Sequence, residues 1–230
     1  LIVALKTHAT AAALTSLHGA KIDSVLSIQN GLMKNDQLAE VFGRERVLGA
    51  LADTSGELLA SGETLFTRNG SIYLGELSGG DSTRAQQLAG ILDASGVRAA
   101  AVTDIQSLEW SKFAAWAGLM ILSVTTRAPT WQYAVDAGSA LVLARLVREV
   151  GELAAARHIQ LSDQGVLPVA SICRGSRSQG VAGMQHFGRH LQARAPQHRM
   201  SSLQDLLAAR ALEVEETLCY ALQLAHQSGL

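Results

Sequence analysis

The sequence predicts an α/β fold built on a parallel sheet over residues 1–103, followed by an all-α part over residues 104–230. Three observations predict it. Up to about residue 103, short apolar runs alternate with helical stretches, the rhythm of a parallel sheet with crossover helices. Beyond that point strand-like runs disappear and apolar residues recur at helical spacing. At ~150 residues per domain, the 230 residues amount to about one and a half domains, enough for a sizeable core.

Residues 1–5 (LIVAL) read as a buried strand with no cap, turn or charged lead-in before it, so the chain is expected to be part of a longer protein. Neither a positive flank nor a small-residue cleavage site marks this run as a leader. Residues 8–20, rich in Ala and Leu, read as a helix, and 25–29 as a second strand ending at the turn Asn30-Gly31. A short helix over 35–42 starts at the cap pair Asn35/Asp36, and 47–52 is a third strand. Runs 63–68 and 71–75 flank Asn69-Gly70, a strong hairpin signal, so the sheet is expected to end in an antiparallel edge. Asp81 caps a helix through Ser95, and 97–102 returns as the last strand.

One helix is expected over 104–126, stopped at Ala128-Pro129, and a longer one over 130–157. The glycine-rich stretch 165–183, with Pro168, reads as a loop region. Ser201 caps a further helix, and 212–225 is the last helix or its continuation. The apolar run 113–124 is short of the ~20 residues a bilayer needs and reads as core.

Composition excludes several function classes. Hydrophobic residues make up 48% and charged residues 17%, and 19 Lys+Arg against 20 Asp+Glu leave a net charge of −1. Such a chain buries a core and carries no field that would gather nucleic acid or anionic lipid, so neither partner is expected. Cys173 and Cys219 cannot build a disulfide framework and form no C-x-x-C, which makes the cytoplasm the default location.

Lys6 follows the first strand and Asn30 the second, with one helix between them; a right-handed crossover brings both to the carboxyl edge, where open α/β sheets bind ligands. The plainer alternative is a solvated lysine and a turn asparagine. Lys112 lies on the stripe Ile105, Leu108, Lys112, Ala115, Leu119, Leu122, so its ammonium snorkels to solvent, faces a polar cleft or meets a carboxylate. Glu213, Glu215 and Glu216 crowd the start of the last helix, where the helix dipole favours carboxylates, and Ser201 sits where a helix cap is needed. His186 and His190 share a helix face with His198 further on. No glutamate completes H-E-x-x-H, and residues 189–199 are basic and without interleaved aromatics, so neither a metal nor RNA is expected there. No G-x-G-x-x-G, G-x-x-x-x-G-K-[ST] or G-x-S-x-G occurs.

Five segments in order resemble the ketopantoate reductase (2-dehydropantoate 2-reductase) family. They are ALKTHA at 4–9, SIQNGLMKNDQLAEVFG at 27–43, TDIQSLEWSKF at 103–113, REVGELAAARHI at 148–159 and SSLQDLLAARALEVE at 201–215. The resemblance implies a truncated Rossmann-like NADP-binding domain over 1–103, without its G-x-G-x-x-G segment. It also implies a helical domain of the 6-phosphogluconate dehydrogenase C-terminal type over 104–230, for substrate binding and a homodimer, although the long apolar helices can equally form an intrachain core. NADPH-dependent reduction of 2-dehydropantoate to pantoate, a step of pantothenate and coenzyme A biosynthesis, is the implied activity.

Roles follow residue by residue from the resemblance. Lys112 matches the general acid, since an ammonium with a reference pKa of ~10.4 carries a proton at neutral pH. Glu213 matches the carboxylate that contacts substrate and cofactor, Asn30 the asparagine near nicotinamide ribose and substrate, Lys6 the basic residue on the same edge, and Ser201 the serine that bonds the substrate carboxylate. The chain departs from the family at three asparagines, replaced by Trp116, Met120 and Thr130. Asn both donates and accepts, so their loss points to a more apolar 2-oxo acid, with Trp116 and Thr130 on the substrate side. Without a phosphate loop the 230 residues alone are expected to bind NADPH poorly. A catalytically silent ligand-binding or dimerising relative, and a reductase of another 2-oxo acid, are the alternatives.

Overall fold

In the computed structural model, which describes residues 1–59 and 61–230, strand β1 (Ile2–Val3) pairs in parallel with β2 (Leu26–Ser27). Their connection runs through a 3₁₀ turn (Thr7–Ala9) and α1 (Thr10–Thr15). Helix α1 ends well before residue 20 because the Thr15 and Ser16 hydroxyls fold back onto the carbonyls of Ala11 and Ala13. Helix α2 (Met33–Phe42) starts two residues before the expected Asn35/Asp36 cap, with Leu32 at the cap position. Asn35 and Asp36 cannot cap it, since their side chains are bound to Glu109 and Tyr220.

Strand β3 (Leu48–Leu58) joins β2 through a parallel bridge from Val25 to Val47. It runs antiparallel to β4 (Thr64–Glu76), and β5 (Ala99–Ala101) returns parallel to β4 after α3 (Thr83–Ala94). The antiparallel pairing is present, but its closing bonds are Leu59 N–H to Glu63 O at 2.8 Å and Gly62 N–H to Leu59 O at 3.0 Å. Asn69-Gly70, the expected turn, lies inside β4; of Asn69 only the backbone is described. The register shifts opposite Ala52 and Thr54, and a Cβ at Gly70 would collide with the Asp53 carbonyl oxygen. Glycine is needed there for a bulge and a close backbone approach rather than for a turn.

Side chains alternate across the sheet. Val3, Val25 and Val47 pack with Leu14, Leu38 and Phe42 on one face, while Leu26, Leu48, Ala50 and Leu74 pack with Ala85 and Ala89 of α3 on the other. The cap of α3 is Ser82 rather than Asp81: its hydroxyl accepts from Ala85 N and donates to Glu76 at 2.6 Å. Arg84 closes a two-pronged pair on Glu76, at 2.8 and 2.6 Å. The Arg84 guanidinium holds the Glu76 carboxyl below the usual carboxylate range, partly opposed by burial. A depressed folded-state value means that the stabilisation is present above the unfolded carboxylate range and is lost as pH falls through the folded one. Glu76→Gln is therefore expected to lower stability by about 1 kcal/mol at neutral pH. By urea unfolding the difference should shrink as pH falls below the range of an unfolded glutamate and through the depressed range of this carboxyl, where the wild-type carboxylate itself takes up a proton.

Helix α4 (Ile105–Thr126) is continuous, and the Asp104 carboxylate accepts from Ser107 N at 3.0 Å at its start. The expected helix over 130–157 is two, α5 (Thr130–Val135) and α6 (Ala137–Ala156), because Asp136 turns extended and caps the second by accepting from Ser139 N at 2.8 Å. Residues 165–183 are largely helical rather than a loop, forming α7 (Val169–Arg174) and the start of α8 (Arg177–Arg194). A capping box of Ser176 and Gln179 starts α8, and a Cβ at Gly180 would stand 3.3 Å from Ala144, so this glycine serves helix packing. Helix α9 (Ser201–Leu207) is followed by a π-helical turn (Glu215–Cys219) and α10 (Tyr220–Gln227). Met200, not Ser201, occupies the α9 cap position.

By their contacts the residues form two units, Leu1–Glu109 with Glu213–Tyr220, and Trp110–Leu212 with Ala221–Leu230. The start of α4 groups with the first unit because Ile105 fills the space over Gly49 and Gly75 and Glu109 is bound to β3. In the second unit Ala114, Leu119, Tyr133, Leu143, Val147, Val169, Ile172 and Met184 form the core. No helix among the described residues is long and apolar enough to cross a membrane, and Cys173 and Cys219 are free thiols.

Candidate functional site

Lys6 and Asn30 each stand three residues beyond a paired strand residue, Val3 and Ser27, so the parallel register carries both to the carboxyl edge of the first unit. The Asn30 loop is tied down on every side. Ser27 Oγ donates to Gln29 Oε1 at 2.7 Å, and Gln29 Nε2 reaches back to Leu5 O at 2.8 Å and Thr10 Oγ1 at 2.7 Å. Gly31, at φ +87°, lies so close to the next segment that an added Cβ would stand 2.8 Å from Thr217 Cγ2. Both the left-handed backbone and the contact require glycine. The Asn30 side-chain amide bonds no described residue.

Glu213 comes to this edge from far along the chain. Its Oε1 accepts from the Thr7 N–H at 2.8 Å and its Oε2 from Lys6 Nζ at 3.3 Å, while Thr7 Oγ1 donates to Glu216 at 3.3 Å. The Lys6 side chain is 44% exposed and that of Glu213 only 10%. Glu213 thus satisfies the first free amide of the Thr7–Ala9 turn, not of its own helix, while Glu215 and Glu216 take the positive end of the π-helical turn.

Sequence reasoning passed over a second pair in this unit. Lys34 Nζ lies 3.0 Å from Glu109 Oε1, with both side chains 4% exposed. Lys34 also donates to Ser27 O at 3.1 Å and Ala50 O at 2.5 Å, and Glu109 accepts from Ala50 N at 3.0 Å and Asn35 Nδ2 at 2.7 Å. The signal was available: Lys34 shares one buried face with Leu38 and Phe42, a charge on an apolar stripe as at Lys112.

In the second unit Lys112 is half-buried on a stripe whose other members, among them Ala115, Leu119 and Leu122, are buried. Trp116 and Met120 follow it at helical spacing, both buried, and the Trp116 ring stacks on Phe113 with centroids 6.1 Å apart. Ser123 Oγ meets Ser202 Oγ at 3.1 Å, which fixes the start of α9 against α4 and leaves the neighbouring Ser201 hydroxyl without a bond to any described residue. Thr130 is fully buried, with Oγ1 3.0 Å from His198 Nδ1. Burial pushes the neighbouring Tyr133 hydroxyl up, partly offset by its hydrogen bond with Thr130. His186 and His190 share α8, and no group of three or more metal-ligating side chains occurs among the described residues.

A Rossmann-like α/β unit with polar side chains gathered at its carboxyl edge, followed by a helical unit, is a two-domain architecture whose open sheet presents its carboxyl edge to ligands. The family model for ketopantoate reductase PanE/ApbA matches residues 1–79 and that for its C-terminal part matches residues 104–230. The chain belongs to the ketopantoate reductase family. It is 34% identical over 95 residues to the 2-dehydropantoate 2-reductase of Archaeoglobus fulgidus, a match covering 40% of this chain and 32% of that protein. The chain thus spans about a third of the length of this curated relative. Among solved structures it is similar to D-mandelate dehydrogenase bound to NADH and anilino(oxo)acetate, with TM-score 0.82, 18% identity, and 100% of this chain and 70% of that one covered. It is also similar to the 2-dehydropantoate 2-reductase of Geobacter metallireducens, with TM-score 0.80, 22% identity, and coverage of 100% and 71%. A dimeric ketopantoate reductase from Staphylococcus aureus matches with TM-score 0.74, 18% identity, and the same coverage.

Proposed function

We propose that the protein is a nicotinamide-dependent 2-oxo acid reductase with NADPH as cofactor, working in the cytoplasm as a homodimer. Membership of the ketopantoate reductase family, with lysine at 112 and glutamate at 213 in the matching segments, carries this reading. The carboxyl edge suits the nicotinamide-ribose end of the cofactor: Asn30 offers an amide that no described residue occupies, beside the exposed Lys6 ammonium. When bound, the cofactor supplies the hydride. Lys112 gives a proton to the carbonyl oxygen as it becomes an alkoxide and stabilises its developing charge. Glu213, held by Thr7 N–H, orients substrate and cofactor hydroxyls, and Ser201 bonds the substrate carboxylate. Trp116 shapes the substrate side directly, and Thr130 does so by holding His198.

Trp116 and Met120, following Lys112 along α4, favour a bulky apolar 2-oxo acid over the hydroxylated 2-dehydropantoate of pantothenate biosynthesis. The anilino(oxo)acetate held by D-mandelate dehydrogenase, an aryl-bearing oxo acid, supports the same choice. Cofactor oxidation should be followed at 340 nm with 2-dehydropantoate, pyruvate and phenylglyoxylate, using NADPH and NADH. The expected result is turnover with NADPH and a kcat/KM for phenylglyoxylate at least about tenfold above that for 2-dehydropantoate. No oxidation across the panel would overturn the enzymatic reading in favour of a silent ligand-binding relative.

A further inference from the structure

The buried Lys34–Glu109 pair stands at a fork in the sheet. Strands β2 and β3 are joined around Val25 and Val47, where Leu48 N–H still donates to Val25 O at 2.9 Å, and beyond that point the ladder stops. In its place the Lys34 ammonium bridges Ser27 O of β2, at 3.1 Å, and Ala50 O of β3, at 2.5 Å. Its third proton goes to Glu109, at 3.0 Å. All three ammonium donors are used, and both Glu109 oxygens are engaged. Two features link this knot to the proposed site. Ser27 and Lys34 are the two ends of the loop that carries Asn30, so the 3.1 Å bond closes that loop at its base. Asn35, the next residue, is held by Glu109 as well.

The geometry points to Lys34 and Glu109 as a positioning pair that holds β2 and β3 apart and presents Asn30 to the cofactor, resting on the reductase reading above. Neither residue touches the reacting atoms. A charge pair this well bonded is not needed for stability alone, since apolar side chains of similar volume fill such sites about as well. What they cannot replace is the bond from Lys34 to Ser27 O that sets the loop.

The test is the double variant Lys34→Met/Glu109→Met in the intact protein. The expected result is a KM for NADPH raised roughly tenfold with kcat at saturating cofactor changed by less than about threefold. Amide hydrogen exchange at Asn30 and Gly31 should speed up at least about tenfold, while that at Leu48 stays as in wild type. Lys34→Gln/Glu109→Gln, which leaves no orphaned charge and keeps an acceptor for the Ala50 N–H, is the second route if the Met double variant does not fold, with the same direction of change at smaller amplitude. A folded variant with unchanged KM and unchanged exchange at Asn30 and Gly31 overturns the positioning role. Should the wild type oxidise no nicotinamide cofactor with any 2-oxo acid, the reductase reading fails, and the exchange measurement alone decides whether the pair sets the loop.

Discussion

Lys112→Ala is expected to lower kcat in the cofactor-oxidation assay by roughly 10²–10⁴, the range a general acid contributes. The physical case is the cost of placing a lysine on this stripe at all. Its neighbours Leu108, Ala115, Leu119 and Leu122 are buried, and a half-buried ammonium there displaces apolar contacts that leucine would make. Lys112→Arg keeps the positive charge, but arginine scarcely gives up its proton, so it should recover little of the lost kcat. Unchanged turnover in Lys112→Ala would remove the lysine from the mechanism while leaving the family assignment intact.

Lys34→Met should cost about 3–5 kcal/mol of unfolding free energy, because it leaves the Glu109 carboxylate buried without its cation and strips Ser27 O and Ala50 O of a donor. Urea denaturation read on the first unit measures it. Adding Glu109→Met removes the orphaned charge, so the double variant should regain most of the loss despite carrying more substitutions. A double variant as unstable as the single one would mean that hydrogen bonding, not uncompensated charge, dominates at this site. Glu76→Gln, at about 1 kcal/mol, marks the contrast with a partly exposed pair.

Local chemistry made several features legible. The alternation of Val25 with Leu26 and of Val47 with Leu48 divides the two sheet faces as strand geometry requires. Helix α4 appears where its apolar period runs unbroken from 105 to 126. The meeting of Lys6 and Asn30 at one edge also followed from order alone, since a parallel pair with a right-handed crossover leaves no other arrangement. Misreadings came where a residue answers a distant partner. Asn69-Gly70 has the composition of a turn, but Gly70 is required by the Asp53 carbonyl across the strand. Gly180 looks like a helix breaker and is instead the flat surface on which α6 and α8 approach. Asp136 splits one periodic stretch into two helices by capping the second.

By itself, then, the sequence determined the order of an α/β part and a helical part, the family through its five ordered segments, and the identity of Lys6, Asn30, Lys112, Ser201 and Glu213 as residues of interest. The first rests on periodicity and the others on the resemblance of short segments and on residue order, all of which are local. Only the tertiary structure decided that Glu213 satisfies the Thr7 amide rather than its own helix, that Thr130 turns its hydroxyl to His198, and that Lys34 and Glu109 close the base of the Asn30 loop. Each of these is a bond between groups far apart in the chain, and the free energy of burying a polar group is set by the partner it finds in space, which no local pattern encodes.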